Sequence, residues 1–259
     1  MIFNRRGNIG YYSFNNFEPL KHGIFTRSGG ISPKPWNSLN LGGTNGDDKK
    51  NVIENRKRIF DLFSLPVESI FDSWQVHGTH VICTNAPRAL DAPHQPADSI
   101  LTSNPDVTLF MRFADCVPLF FWDPVQNVIG IAHAGWKGTV NHIGKVTVLS
   151  MHENHGSKAE DIVVGIGPSI GPDHYEIGSD LADRVKREFP EVWKDLLTSH
   201  SGRLYLDLWK ANQYDLEKCS VSVIESAGIC TACHTDEFFS HRIENGKTGR
   251  FGALLSLRG

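Results

Sequence analysis

Long hydrophobic runs are missing from this sequence. Its apolar stretches around Val117–Trp122 and Val128–Ala132 fall far short of the ~20 residues a spanning helix needs, so a membrane-spanning helix is excluded. A basic surplus is missing too. The 26 Lys and Arg stand against 29 Asp and Glu, a net charge of −3, and no nucleic-acid partner is expected. Cysteine is sparse: Cys83, Cys116, Cys219, Cys230 and Cys233 are an odd set and too few to staple 259 residues. The opening MIFNRRGNIGYYSF has an Arg pair with no apolar segment behind it, unlike a secretory signal. These absences lead us to expect a cytoplasmic protein with free thiols. Low-complexity segments, charge blocks and repeats are also lacking, so a single domain over residues 1–259 is expected.

Mixed α and β signals fill the chain. Residues 28–46 are rich in Gly and Pro and read as a long loop. Asp47 or Asp48 can cap a following helix that carries Val52, Ile53, Ile59, Phe60 and Phe63 and stops at Pro66. Short β-branched or aromatic segments then predict strands at Thr79–Thr84, Ser99–Thr102, Val107–Phe113, Val117–Trp122 and Val128–His133. Trp136–Glu153 reads as one helix ending before Gly156, and Ile162–Ile166 as a buried strand. Ser179 and Asp207 can each cap a further helix, and Phe238–Arg242 with Phe251–Leu257 reads as a terminal hairpin. The fold class expected is α/β (mixed α+β), one domain of layered sheets flanked by helices.

Three segments set reactive side chains beside small residues at predicted strand ends: Gln75-Val76-His77-Gly78, Ala114-Asp115-Cys116-Val117-Pro118 and Ala132-His133-Ala134-Gly135-Trp136. Two imidazoles and a thiolate suit zinc, and three protein ligands leave a fourth position open for water or substrate. The spacing alone does not choose between a zinc triad of His77, Cys116 and His133 and a metal-free Cys116–His133 dyad with a thiolate nucleophile. A lone Cys is also often a small core residue, and a lone His a satisfied hydrogen-bonder.

Other clusters carry less. Cys230-Thr231-Ala232-Cys233 has C-x-x-C spacing with no second pair for a zinc ribbon, and we read it as core and loop. His152 and His155 read as a solvated helix end. Gly165-Ile166-Gly167-Pro168-Ser169-Ile170-Gly171-Pro172 fails the dinucleotide fingerprint, because Ile170 takes the third glycine position and two prolines remove N–H donors, but it can form a tight turn lining a pocket. Arg242 is a candidate anion binder through its guanidinium fork.

At these same residues the sequence resembles a known family. QVHG at 75–78, ADCVPLFFWDP at 114–124, IGIAHAGWKG at 129–138, VGIGPSIGPDHYEIG at 164–178 and FFSHR at 238–242 resemble the laccase-domain family, the purine nucleoside phosphorylase-like proteins once labelled polyphenol oxidases. Ser38-Leu39-Asn40-Leu41-Gly42 and Asn55-Arg56 resemble its N-terminal signature. The resemblance implies a fold similar to the catalytic domain of cytotoxic necrotizing factor. It implies one zinc held by His77, Cys116 and His133 at the catalytic site, with Arg242 catalytic and contacting substrate and Asn40 near the same pocket as a substrate-binding residue. Lys137, His241 and Ile243 depart from the family's usual Arg, Tyr and Arg, which affects substrate and phosphate contacts rather than metal ligands.

The function the resemblance implies is phosphorolysis of adenosine, inosine, guanosine and methylthioadenosine to base and a ribose 1-phosphate, with adenosine deamination alongside. A cysteine hydrolase using Cys116 and His133 is the alternative. Copper-dependent phenol oxidation is disfavoured, since the sequence has no His-x-His pair and only three methionines, although copper could enter a two-His, one-Cys site.

Overall fold

The computed structural model describes residues 1–258. Two six-stranded sheets stack face to face, with helices on both outer faces. The first sheet runs in the order Ile2–Arg6, Ile9–Ser13, Lys21–Phe25, Phe251–Ser256, Thr108–Phe113, Ile70–Phe71. The second runs Val223–Ser226, Val163–Ile166, Val117–Asp123, Val128–Ala134, Ser99–Thr102, Val81–Cys83. A small third sheet joins Glu176–Ile177, Arg203–Leu206 and Leu197–His200. The mixed, layered fold expected from the sequence is therefore observed.

Side-chain alternation explains the layering. In Val117–Asp123, Phe120 faces the first sheet, where it joins Phe14, Phe17, Ile24, Phe113 and Phe251, while Leu119 and Phe121 face the helices. Four helices, Trp136–Val140, Ile143–His155, Ser179–Glu188 and Leu208–Lys218, cover that outer face. Helix Lys49–Leu62 covers the far side of the first sheet, burying Val52, Ile59 and Phe60 on one stripe. A fully buried phenylalanine contributes roughly 1.5–3 kcal/mol of transfer free energy, so the twelve with essentially no exposed surface dominate the core.

Three sequence expectations need correction. Trp136–Glu153 is not one helix: it breaks at Asn141–His142, where His142 takes a left-handed conformation (φ 59°) and its Nδ1 meets Asp215 Oδ2 at 2.8 Å. Helix Ser179–Glu188 has Gly178, not Ser179, in the capping position, with no side-chain cap. The terminal hairpin does not form either. Strand Phe251–Ser256 is already paired on both edges, by Lys21–Phe25 and Thr108–Phe113, so no edge remains for residues 238–242, which form no strand. The three N-terminal strands and the small third sheet were not anticipated from the sequence.

The 28–46 loop holds no regular element, as expected, yet it is firmly anchored. Asn55, fully buried on its helix, accepts from Ile31 N and donates to Ser32 Oγ, Ser38 O and Asn40 O at 2.9–3.2 Å. Its neighbour Arg56 donates to Leu41 O at 3.0 Å.

Candidate metal centre and active-site cleft

Strand register brings the three reactive segments together. Pro118 pairs with His133 and Val117 with Ala134, which sets Cys116 beside Gly135. A Cβ on Gly135 would stand 3.0 Å from both Cys116 Sγ and His77 Cδ2, so only glycine leaves room for these side chains to converge. The ligating atoms of His77, Cys116 and His133 lie within 4.8 Å of one another. The His77 and His133 rings meet nearly edge to face, 4.8 Å between centroids. A two-nitrogen, one-sulfur set with no fourth protein donor among the described residues fits a borderline-soft metal with one open position.

Asp98, which the sequence reading missed, holds this geometry. Ser99 pairs with Ala132, so Asp98 lies alongside His133, and its carbonyl accepts from His133 N at 2.7 Å. Its carboxylate accepts from His133 Nδ1 at 2.8 Å and from the backbone N–H groups of Val76, His77 and Gly78 at 2.7–3.1 Å. Burial pushes this carboxyl up, but the His133 hydrogen bond and charge and the backbone donors outweigh it and hold it below the usual range. An ionised carboxylate can only accept, so His133 donates from Nδ1 and leaves Nε2 for the site. The same four bonds fix His77 in its left-handed conformation (φ 61°). Gln75 ties that segment to the neighbouring strand: its amide donates to Arg112 O at 2.8 Å and accepts from Arg112 N at 3.1 Å.

Burial alone would raise the Cys116 thiol, but the His133 charge and hydrogen bonds from His133 and His77 pull it down to about 6. Burial opposes charge on His133 as well, yet Cys116 and Asp98 hold it up at about 9. Asp115, beside Cys116, turns away in a left-handed conformation (φ 78°) and accepts from Thr231 Oγ1 and from Arg242 N, each at 2.7 Å. It is an anchor for the Arg242 turn.

Two cavities meet over the triad, sharing His77, Ala114, Cys116 and His241 in their walls. One, about 280 Å³, is bounded by Trp136, Ile170, Tyr175, Leu208 and Arg242. The Arg242 guanidinium lies 5.1 Å from the Tyr175 ring centre and donates to Glu176 O at 3.1 Å. The other, about 360 Å³, is basic, with Gly42–Thr44, Trp74, Gln75, Arg112 and Arg250 on its walls. Behind it the fully buried Asp72 pairs with Arg88 at 2.8 Å, His94 at 3.0 Å, Arg112 at 3.4 Å and Arg56 at 3.6 Å, leaving cationic charge in excess.

The structure thus gathers His77, Cys116, His133 and Arg242 at one cleft. Asn40 lies outside it. Its amide is fully buried and fully engaged: Oδ1 accepts from Gly42 N, Asn45 Nδ2 and Arg250 N, and Nδ2 donates to Asp47 Oδ2 at 2.8 Å. It shapes the Gly42 turn and places Arg250. Arg112, Arg250 and Tyr175 were not singled out from the sequence. Their only signal was position: Arg112 lies just before ADCVP, Tyr175 within VGIGPSIGPDHYEIG, and Arg250 eight residues after FFSHR.

Residues 21–258 match the sequence profile of a family described as multi-copper polyphenol oxidoreductase laccase. The chain belongs to that family. It is 37 % identical over 254 residues to the purine nucleoside phosphorylase YlmD of Bacillus subtilis, covering 94 % of this chain and 90 % of that one. A Deinococcus radiodurans protein named purine nucleoside phosphorylase is also 37 % identical, over 92 % of this chain and 89 % of its own. The crystal structure of YlmD from Geobacillus stearothermophilus superposes with a TM-score of 0.93 at 32 % identity, covering 100 % of this chain and 99 % of that chain. Like its laccase-family relatives, this chain thus falls among proteins named for nucleoside phosphorolysis. Among the described residues no helix is long and apolar enough to cross a membrane.

Proposed function

We propose that this protein is a zinc-dependent purine nucleoside phosphorylase that works at the cleft over His77, Cys116 and His133. The observation that carries this reading is the junction of an aromatic-walled cavity and a cationic one at that cluster. Tyr175, Trp136, Ile170 and Leu208 offer flat apolar surface for a purine, and Arg242 stands ready to donate to its ring acceptors. Arg112 and Arg250 offer charge for inorganic phosphate on the other side.

In phosphorolysis a phosphate oxygen attacks ribose C1′ while the C1′–N9 bond breaks, its electron pair leaving with the purine, which then takes up a proton. The residues that bind the reactants also align them, converting an encounter of two solutes into a reaction within one complex. Donation from Arg242 to the purine becomes stronger as negative charge builds on the ring, which favours the transition state. His77, Cys116 and His133 would hold the zinc, which when bound would supply Lewis-acid polarisation. Deamination of adenosine and phosphorolysis of methylthioadenosine would be companion activities of the same cleft.

A second reading has its own observation. With Asp98 on His133 Nδ1 and the Cys116 thiol pulled down to about 6, the residues also form a thiolate, imidazole and carboxylate relay suited to a cysteine hydrolase. The deciding experiment is mass spectrometry of products from adenosine and from inosine, with and without phosphate. We expect phosphate-dependent release of base with ribose 1-phosphate, lost in Cys116→Ala together with the zinc of this cleft. Untouched nucleosides would discard the phosphorylase and leave the hydrolase.

A further inference from the structure

A second group of metal-ligating side chains lies outside the cleft. Asp173, His174, Cys230 and Cys233 bring their ligating atoms within 4.8 Å of one another. Cys230 Sγ is 3.8 Å and Cys233 Sγ 3.6 Å from His174 Nδ1, Cys233 Sγ is 3.5 Å from Asp173 Oδ2, and Asp173 Oδ2 is 3.0 Å from His174 Nδ1. Zinc bonds of roughly 2.0–2.3 Å at tetrahedral angles give ligand-to-ligand edges of about 3.3–3.8 Å, close to these separations. We infer that these four side chains form a second zinc site, four-coordinate, closed to substrate and structural in role.

The surrounding backbone is shaped for it. Residues 169–171 run beside 229–231: Ser169 N donates to Ile229 O at 3.2 Å, and Thr231 N to Ser169 O at 3.0 Å. Gly171 N donates to Cys230 Sγ at 3.1 Å, a bond that orients the sulfur. A Cβ on Gly171 would meet Asp173 Oδ1 at 2.7 Å and Cys230 Cβ at 3.0 Å, so the loop closes over the cluster only because that position is glycine. The His234 N to Cys230 O bond of 3.1 Å curls the C-x-x-C segment so that both sulfurs share one side. Asp173 pairs with no lysine or arginine among the described residues; its partner is His174.

The site would staple together two segments that shape the cleft. Ile170 and Tyr175 line the aromatic cavity and flank Asp173 and His174 in sequence. Thr231, between the two cysteines, donates to Asp115, whose other oxygen holds Arg242 N. Asp173, His174, Cys230 and Cys233 are therefore positioning residues. Zinc here would fix the wall that carries Tyr175 and Arg242 without touching a reactant.

Metal counting on the full chain tests this. Protein equilibrated with zinc chloride and desalted should hold about two zinc ions, and Cys233→Ser, His174→Ala and Cys116→Ala about one each. The double variant Cys116→Ala/Cys233→Ser should hold none. In the Cys116→Ala background, zinc should raise Tm and protect Cys233 from iodoacetamide, and the added Cys233→Ser change should abolish the Tm shift. One zinc in wild type that persists in Cys233→Ser and vanishes in Cys116→Ala would overturn the proposal. So would equal alkylation of Cys233 with and without zinc. Because the readout is taken with the cleft's own metal site disabled, it stands or falls apart from the phosphorylase reading.

Discussion

Asp98 shows how much one side chain outside the ligand set decides. It joins His133 to the backbone of residues 76–78, so one carboxylate sets the orientation of both histidines. Asp98→Asn keeps the size but turns an NH₂ toward N–H donors. Zinc affinity at the cleft should fall by roughly 10- to 100-fold with the fold retained, as measured by competition with a chromogenic chelator. Unchanged affinity would mean that packing alone holds the His133 ring. The three ligand candidates were legible because each sits in a short run of small residues at a predicted strand end. Asp98 was not, because its role depends on the pairing of Ser99 with Ala132, between strands about thirty residues apart.

At the scale of elements, local chemistry and tertiary pairing can be separated. Asp48 was a candidate cap from sequence, and in the structure its carboxylate accepts from Lys50 N at 2.8 Å. Asp207 caps its helix in the same way, accepting from Lys210 N at 3.0 Å. Capping is a local event, which is why both were readable. Asp48→Ala should lower stability by about 1 kcal/mol in urea unfolding and leave kcat unchanged, because the helix it starts lies on the face of the first sheet away from the cleft. A large loss of activity would mean that this helix end also places the Gly42–Thr44 turn. The terminal hairpin was misread for the opposite reason. Its turn sequence is suitable, but strand Phe251–Ser256 already has both edges occupied.

For the molecule as a whole, the buried charge cluster sets the response to acid. Burial raises the Asp72 carboxyl, but His94, Arg112 and Arg56 outweigh it and hold the group well below its ordinary range. A carboxyl depressed on folding contributes stability that is complete above its unfolded value, near ~3.9, and is lost as pH falls through the folded one. The urea midpoint should therefore decline steeply below about pH 4. Removing the charge with Asp72→Asn strands three arginines, so a loss of roughly 3–5 kcal/mol at pH 7 is expected, with a flatter decline in acid. Parallel acid profiles for the variant and wild type would assign the sensitivity to other groups, such as His22, which burial holds below its ordinary value.

What the sequence determined by itself was whatever depends on near neighbours: strand and helix alternation, caps, turn chemistry, and the small residues flanking His77, Cys116 and His133. Arg242 could be named as an anion binder, but only the fold placed it at the triad. Tertiary structure alone also decided that Asn40 is a scaffold side chain, that Asp98 governs the histidines, and that Asp173 and His174 meet the C-x-x-C pair. These depend on which strands pair and in what register. Burying both faces of two sheets at once fixes that pairing, and no local window of the chain contains it.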